Sequence, residues 1–443
     1  MSTFFSVEAM AMIMMGIVIF AMMFGHPIAF VFGGVGLLFG YWLRGPGVFY
    51  MFSSQAIGTM DSGILVAVTM FILMANLLVQ AHIAEELFEG IRLLAGPLPG
   101  GLGVAVIIVS MILGACTGIV GAAIVAMGLA GLPIMMKYKY QKGFCAGLIC
   151  AGGTLGIMLP PSVMLIAMAD LTGLSAGKLL LGGVFPGVLL GVMYIGYIII
   201  RCWINPKIGP PMSMEDRIAN PVSVRISKSF KALAAPGFLI ILVLGGIFSG
   251  IMTVREASGI GACGSFLIVV GYGRFNLAMM KKVVSGTATS VAMIMFLIVA
   301  TNCFTAVFLD FGGGKTVMES MMGSGLGKWG IFAVMMLIIF ILGMPIEWVG
   351  IIYLVIPIFL PIAIALGFDP LWFVLIVAVN LQNAFISPPA GASMFYLLGV
   401  SKGTLTTNHV FLGVLPFIVL QLIGLMICIV FPDLVMWLPN MMK

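Results

Sequence analysis

Apolar stretches of roughly 20 residues, parted by short polar breaks, follow one another along almost the whole chain, and each can cross a hydrocarbon core of about 30 Å. Of 443 residues, 62% are hydrophobic and 8% are charged, against about 25% charged in a soluble domain. A water-soluble globule cannot bury that much apolar surface. The chain therefore reads as an all-α, polytopic membrane protein. Its first stretch, Val7 to Phe24, has no Lys or Arg ahead of it and does not resemble a cleaved signal peptide. The 58 Gly and 37 Met residues suit closely packed helices that must slide. The net charge of +6 is read as membrane orientation, not as affinity for nucleic acid. The 7 Cys are scattered, and Cys145 and Cys150 lack metal-ligand spacing, so free thiols are expected.

Ten stretches read as crossings: 7–25, 27–43, 62–81, 143–172, 178–200, 235–253, 256–273, 286–309, 371–400 and 408–431. Two more, 100–136 and 327–366, are too long for one helix and hold Gly and Pro near their middle. They read as re-entrant helical hairpins. The first turns at Gly114-Ala115-Cys116-Thr117-Gly118 and the second at Gly343-Met344-Pro345. A short amphipathic arm precedes each hairpin. In the first arm, Ile83, Leu87, Phe88 and Ile91 share one helical face, which suits either an interfacial helix or an ordinary connecting one.

The two halves match. Gly16 and Gly245, Ala29 and Ser258, and Gly114 and Gly343 share one offset in numbering. Met70-Phe71 with Met295-Phe296, and Pro160-Pro161 with Pro388-Pro389, depart from that offset by only a few positions. Each half then holds five crossings and one hairpin. Five is odd, so the second repeat is inverted relative to the first, a pattern of secondary transporters. The expected division is 1–201 for the first repeat, 202–234 for a cytoplasmic linker and 235–443 for the second repeat.

Charge placement bears on orientation. If the first hairpin opens to the cytoplasm, 14 of the 20 Lys and Arg residues fall on that side, among them Arg92, Lys137, Arg201, Arg217, Lys228 and Arg274, and 6 fall on the other. The positive-inside rule then places both termini outside the cytoplasm.

No enzyme constellation emerges. His26, His82 and His409 are far apart in the sequence, and no phosphate-binding loop is present. The informative feature is broken backbone at membrane depth, at Gly152 to Ser162 and at Asn380 to Gly391. Consecutive prolines remove backbone donors and disfavour helix just before them. The carbonyls so released must line a protein cavity. Such carbonyls, with hydroxyl and amide oxygens, suit a dehydrated Na⁺, and half-helix N-termini favour an anion. Pairing each break with the hairpin tip of its repeat gives two candidate sodium sites. The first is Gly114, Ala115, Cys116, Thr117 and Gly118 with Pro160, Pro161 and Ser162. The second is Gly343, Met344 and Pro345 with Ser387, Pro388, Pro389 and Gly391. Thr154, Glu347, Asn380 and Asn383 are candidates for the substrate's vicinity. No cofactor is expected beyond Na⁺ as coupling ion. The competing reading of each break is a proline kink that only shapes packing, and Glu347 also suits a merely solvated position at a cavity mouth.

These residues resemble those of the large membrane subunit of the tripartite ATP-independent periplasmic (TRAP) transporters over nearly the whole length. The most specific pieces are Pro97 to Gly101, the first tip, Gly156 to Ser162, Phe185-Pro186-Gly187 and Ser387 to Gly391. The resemblance implies an elevator mechanism with scaffold and transport domains. It also implies Na⁺-driven uptake of a small organic anion (an α-keto acid, a dicarboxylate or a sulfonate), a small membrane subunit as a separate chain, and a periplasmic substrate-binding protein. The chain departs from the family's usual Ser-rich first tip. There it is closer to members linked to α-keto acids, mannitol or chloroaromatic acids. It also departs at Thr69-Met70-Phe71, where Pro-Leu-Phe is usual. A binding-protein-independent Na⁺/carboxylate carrier of similar fold is the nearest rival reading, with an ion channel behind it. A reporter that is active only in the cytoplasm, fused at Lys443, is expected to be silent; a strong signal would overturn the orientation drawn from charge.

Overall fold

The computed structural model describes residues 7–24, 26–118, 120–212, 216, 220–389 and 391–442. All regular elements among them are helical. The first half contains α1 (Val7–Met23), α2 (Ile28–Arg44), α3 (Gly47–Met60), α4 (Gly63–Gln80), α5 (Ile83–Ala95), α6 (Gly101–Thr117), α7 (Val120–Lys137), α8 (Lys142–Thr154), α9 (Val163–Thr172) and α10 (Ala176–Ile204). The second contains α11 (Val222–Phe248), α12 (Val254–Gly271), α13 (Leu277–Asp310), α14 (Gly313–Met322), α15 (Lys328–Gly343), α16 (Trp348–Ala365), α17 (Pro370–Ile386), α18 (Ala392–Val400), α19 (Thr407–Val430) and α20 (Pro432–Met441). Eight of these, α4, α7, α10, α11, α12, α13, α16 and α19, are long and apolar enough to cross a membrane. Shorter apolar helices form α1, α2, the first arms of the two hairpins (α6 and α15), both halves of the first broken crossing (α8 and α9) and the first half of the second (α17).

Two polar bonds reveal how the repeats relate. Asn76 Nδ2 donates to Thr287 Oγ1 at 3.1 Å, and Asn302 Nδ2 donates to Thr59 Oγ1 at 3.4 Å. Asn76 matches Asn302, and Thr59 matches Thr287, within a few positions of the repeat offset. One bond therefore occurs twice, with the repeats exchanged. Each joins the early part of one helical stretch to the late part of its counterpart. The equivalent stretches α3–α4 and α13 therefore run antiparallel, which requires inverted repeats. Neighbour packing is exchanged in the same way: α2 packs on α13, and α12 on α4.

The structure departs from the sequence expectation in three places. First, α3 is absent from the expected crossings. Its counterpart in the second half is the uninterrupted beginning of α13, whereas the first half breaks at Asp61-Ser62, where Ser62 Oγ accepts from Leu65 N at 3.4 Å and caps α4. Second, α11 begins at Val222, inside the expected linker of 202–234. Pro221 occupies its N-cap, a helix start that tolerates proline, and Arg225, Lys228 and Lys231 ride on its first turns. Third, α20 follows the last expected crossing and packs on α10. Arg217, Met1 and Lys443 lie outside the described residues.

The linker between α10 and α11 is also tied down. Ile208 O accepts from Gln141 N at 3.0 Å, Gly209 O from Gly100 N at 2.8 Å, and Met212 N donates to Gly96 O at 2.8 Å. This explains Pro97 to Gly101 at the base of the first hairpin. Gly100 has φ 75, and a Cβ on Gly101 would run into the Ala95 carbonyl.

The first arm, α5, is a connecting helix packed in protein. Its Ile83, Leu87, Phe88 and Ile91 are buried, and Ser229 Oγ on α11 donates to Gly90 O at 2.7 Å. By contrast, α1 to α3 leave Phe20, Phe24, Phe30, Leu38, Trp42 and Tyr50 exposed. Asn76→Ala and Asn302→Ala should each lower stability by about 0.6 kcal/mol, the typical worth of an interhelical hydrogen bond in a membrane protein. Thermal unfolding in detergent measures this; a loss in only one of the two would deny their equivalence.

Candidate functional site: two hairpin tips seated on two broken crossings

The first break starts where α8 ends at Thr154. A 3₁₀ turn, Leu155–Ile157, follows and the chain then runs through a cis Pro160–Pro161 peptide. Ser162 restarts the helix: its Oγ donates to Ile157 O and accepts from Leu165 N, the latter at 3.2 Å. In the second break, α17 ends at Ile386, Ser387 Oγ donates to Asn383 O at 2.6 Å, and Gly391 N donates to Ser387 O at 3.0 Å across a cis Pro388–Pro389 peptide. Ser393 Oγ reaches back to Phe385 O at 2.6 Å and ties the two halves of that crossing together. Ala390 and, in the first tip, Ile119 lie outside the described residues.

Each tip rests on the break of its own repeat. Gly118 closes α6 with φ 62 and donates from its N to Gly114 O at 2.7 Å. A Cβ on Gly156 would come within 2.5 Å of the Gly114 Cα, and one on Gly118 within 2.9 Å of Pro161 O. In the other repeat, Gly343 lies so close to Ala384 that a Cβ has no room. Gly156 and Ala384 are separated by the same offset as the two Pro-Pro pairs, so this too is one contact made twice. Behind the first break, Gly183 and Gly187 of α10 let Met158 and Leu159 lie flat against that helix, which accounts for Phe185-Pro186-Gly187.

Polar groups here divide into those used internally and those left over. Thr154 is fully buried. Its carbonyl accepts from Gln382 Nε2 and its Oγ1 from Gln421 Nε2, each at 3.2 Å. Thr154 and Gln382 are themselves equivalent positions of the two repeats, so the repeat axis passes between them. Asn380 Nδ2 donates to Met336 O at 2.7 Å and clamps α17 to α15. Gln382 and Gln421 are absent from the sequence candidates, although a lone carboxamide in an apolar helix is the available signal. Left over are Thr117 Oγ1, Gln382 Oε1 and both polar atoms of Asn383, all buried without a hydrogen-bond partner. Buried atoms of this kind call for a ligand or water to complete their bonding. Ala115 and Cys116 are buried within the first tip.

Glu347 stands at the N-cap of α16, where a helix favours negative charge. It lines a cavity of about 440 Å³ with Pro345 from the same tip and His26, Phe30, Met293 and Phe296 from α13 and the α1–α2 region. Met344 beside it is half-buried. No group of three or more His, Cys, Asp or Glu among the described residues could hold a metal ion.

An all-helical membrane protein with broken crossings and re-entrant hairpins in inverted repeats has the architecture of a multi-pass transporter permease. The chain belongs to the family described as the tripartite ATP-independent periplasmic transporter, DctM component, whose model matches residues 15–434. It is 30% identical to the C4-dicarboxylate TRAP transporter large permease protein DctM of Vibrio cholerae serotype O1, over 98% of each chain. It is 29% identical to the isethionate TRAP transporter permease protein DctMQ of Oleidesulfovibrio alaskensis, over 86% of this chain and 59% of that one. It is 26% identical to the sialic acid TRAP transporter large permease protein SiaM of Vibrio cholerae, over 94% and 95%. The crystal structure of the Alcanivorax borkumensis YdaH transporter has a similar fold, with a TM-score of 0.59 and 15% identity over 87% of this chain and 89% of that one.

Gly156→Ala should lift the first tip off its break. Overpacking of this kind costs about 1–3 kcal/mol. Cys116, buried in the wild type, should then react with a maleimide in a Cys263→Ser background. An unreactive Cys116 in a folded variant would mean that the tip does not depend on this contact.

Proposed function

We propose that the chain is the large permease subunit of a sodium-coupled, binding-protein-dependent importer of a small organic anion. One observation carries this reading: two equivalent junctions of tip and break, with the buried unpartnered Thr117 hydroxyl at the first and the Asn383 carboxamide beside the second. A monovalent cation can be held by carbonyl and hydroxyl dipoles, whereas an unpaired buried carboxylate would cost several kcal/mol. Thus Gly114 to Gly118 with Pro160 to Ser162 form the first Na⁺ site, and Gly343 to Pro345 with Ser387 to Gly391 the second. Thr117 supplies a side-chain oxygen to the first. Asn383 and Glu347 face the substrate.

The relatives named for C4-dicarboxylates, isethionate and sialic acid support an organic anion as cargo. The tripartite family and the DctMQ relative support a small membrane subunit, for which the exposed apolar side chains of α1 to α3 are the natural seat, and a periplasmic binding protein that delivers the substrate. The two hairpins and two broken crossings move as the transport domain, while the long helices α4, α11, α12 and α13 form the scaffold. Residues 1–201 and 235–443 are the repeats. The protein sits in the bacterial inner membrane with both termini in the periplasm.

The test is uptake into proteoliposomes against Na⁺ concentration, with and without the binding protein. Pro160→Ala and Pro388→Ala restore a backbone donor and let helix re-form through a site. Each should weaken the Na⁺ response by about tenfold or more, a loss of roughly 1.4 kcal/mol, while membrane insertion survives. An unchanged Na⁺ response in both variants would reduce the prolines to kinks.

A further inference from the structure

Resting on that reading, we infer that Asp170 is a latch between the moving and the fixed parts of the carrier. It favours the end state seen here, with hairpin two closed on α2 and α13. The hairpins and broken crossings, residues 100–136, 143–172, 327–366 and 371–400, hold only three charged side chains: Asp170, Lys328 and Glu347. Lys328 stays at the base of its own hairpin, where Nζ donates to Gly367 O at 3.1 Å. Asp170 bonds across to the scaffold: its Oδ1 accepts from Oγ of Ser62, the N-cap of α4, at 2.5 Å.

Its own helix does not call for a carboxylate there. Asp170 stands in the last turn of α9, where the helix dipole disfavours negative charge. Across the interface the preference is reversed. Ser62 Oγ accepts from Leu65 N at 3.4 Å, so the hydroxyl passes the polarity of the α4 N-terminus on to Asp170. The next residue, Gly63, lies under Arg255, whose Nε donates to Gly63 O at 3.0 Å. A Cβ at Gly63 would fall 1.2 Å from Arg255 Nη2, so only glycine lets the guanidinium lie over the start of this helix. The scaffold thus offers a hydroxyl, a helix N-terminus and a guanidinium to one carboxylate of the moving part.

The latch has no twin. Inverted repeats exchange their surroundings between end states, so the contacts of the opposite state follow from equivalent positions. At the offset of the Pro-Pro pairs, the counterpart of Asp170 is Leu398, which has no acceptor. A further bond across the interface, from Thr305 Oγ1 to Tyr353 O at 3.1 Å, also goes unrepeated. At the offset of Asn76 and Asn302, the counterpart of Thr305 is Val79, which has no side-chain donor. The opposite end state lacks both bonds, and the equilibrium between the two states is biased accordingly.

Two cysteine pairs, in a Cys263→Ser background, read the two end states of the full chain in proteoliposomes. Ile28→Cys with Gly350→Cys reports the state seen here, since a Cβ on Gly350 would lie 3.4 Å from Ile28 Cγ2. Ala257→Cys with Gly121→Cys, the repeat-equivalent pair, reports the opposite state. The measured quantity is the ratio of their oxidative cross-linking rates. Asp170→Leu should move that ratio about tenfold towards the second pair, the worth of a hydrogen bond to a charged group. Asp170→Asn, which keeps the shape, should move it about threefold, because a charged hydrogen bond is roughly twice as strong as a neutral one. Arg255→Gln should move it about twofold, as expected of an exposed charge. Wild-type ratios in both Asp170 variants, with both pairs forming, would overturn the latch and leave the moving domain intact. A shift in the Asp170 variants alone would remove Arg255 from it. If the second pair cross-links in no variant, in NaCl or in choline chloride, the domain movement of the proposed function falls, and this inference with it.

Discussion

A backbone carbonyl stripped of its helical partner has nowhere to turn in hydrocarbon, and this chain strips several at once, twice. The prolines at 160–161 and 388–389 guarantee it. What keeps the breaks tolerable is contact with other backbone. Gly156 lies on Gly114, Gly118 lies on Pro161, and Gly343 lies on Ala384. Side chains at these points would hold the tips away and admit lipid or water. Serines complete the repair: Ser162 caps the resumed helix, Ser387 satisfies Asn383 O and Ser393 satisfies Phe385 O. After this repair, the buried atoms without partners include those on Thr117, Gln382 and Asn383 at the tips and the axis between the repeats, beside others on Ser110, Tyr194, Tyr353 and Gln421.

Inverted repeats would give two identical surroundings if the molecule were at a symmetric point, and it is not. Gly350 on the second arm of hairpin two lies 3.3 Å, measured from a notional Cβ, from the Phe32 ring of α2, and Thr305 Oγ1 on α13 donates to Tyr353 O at 3.1 Å. The equivalent glycine of the first repeat, Gly121, faces Tyr396 instead. Hairpin two is thus pressed against α2 and α13, whereas the equivalent point of hairpin one is covered by a side chain of α18. An alternating carrier built from inverted repeats exchanges these two environments between its end states.

Much of this was legible in the sequence. Pro-Pro and the glycine-bearing tips disrupt long apolar runs, and their nearly constant spacing survives helix packing unchanged. The repeat paired each tip with its own break, but residue-level partners were not legible. In a soluble helix, the polar face points away from the core and so identifies the buried one; here both lipid and protein faces are apolar. Nothing in the sequence therefore told that Gly156 meets Gly114, or that Thr154 and Asn380 are consumed by internal bonds while Asn383 is not. The start of α11 was hidden for the opposite reason. Arg225, Lys228 and Lys231 give a stretch that reads as a solvated linker, yet its apolar positions, Ala232 among them, pack on α5. The split between α3 and α4 was obscured because Asp61-Ser62 looks like the end of a loop, although it is a capped joint between two helices.

The scarcity of charge in the moving segments has a mechanical consequence. A carrier with a fixed Arg or Lys for its anion would have to take that charge back through the membrane empty, unpaired and at high cost. A site whose donors are carbonyls, hydroxyls and carboxamides carries no fixed positive charge on the return. In the proposed cycle, the positive charge that an anion needs must then arrive with the co-transported ions. In that cycle, anion binding depends on prior cation binding. Under the proposed function, coupling follows from what the site lacks: with no protein cation to stand in for Na⁺, the anion would have no route that leaves the ion behind.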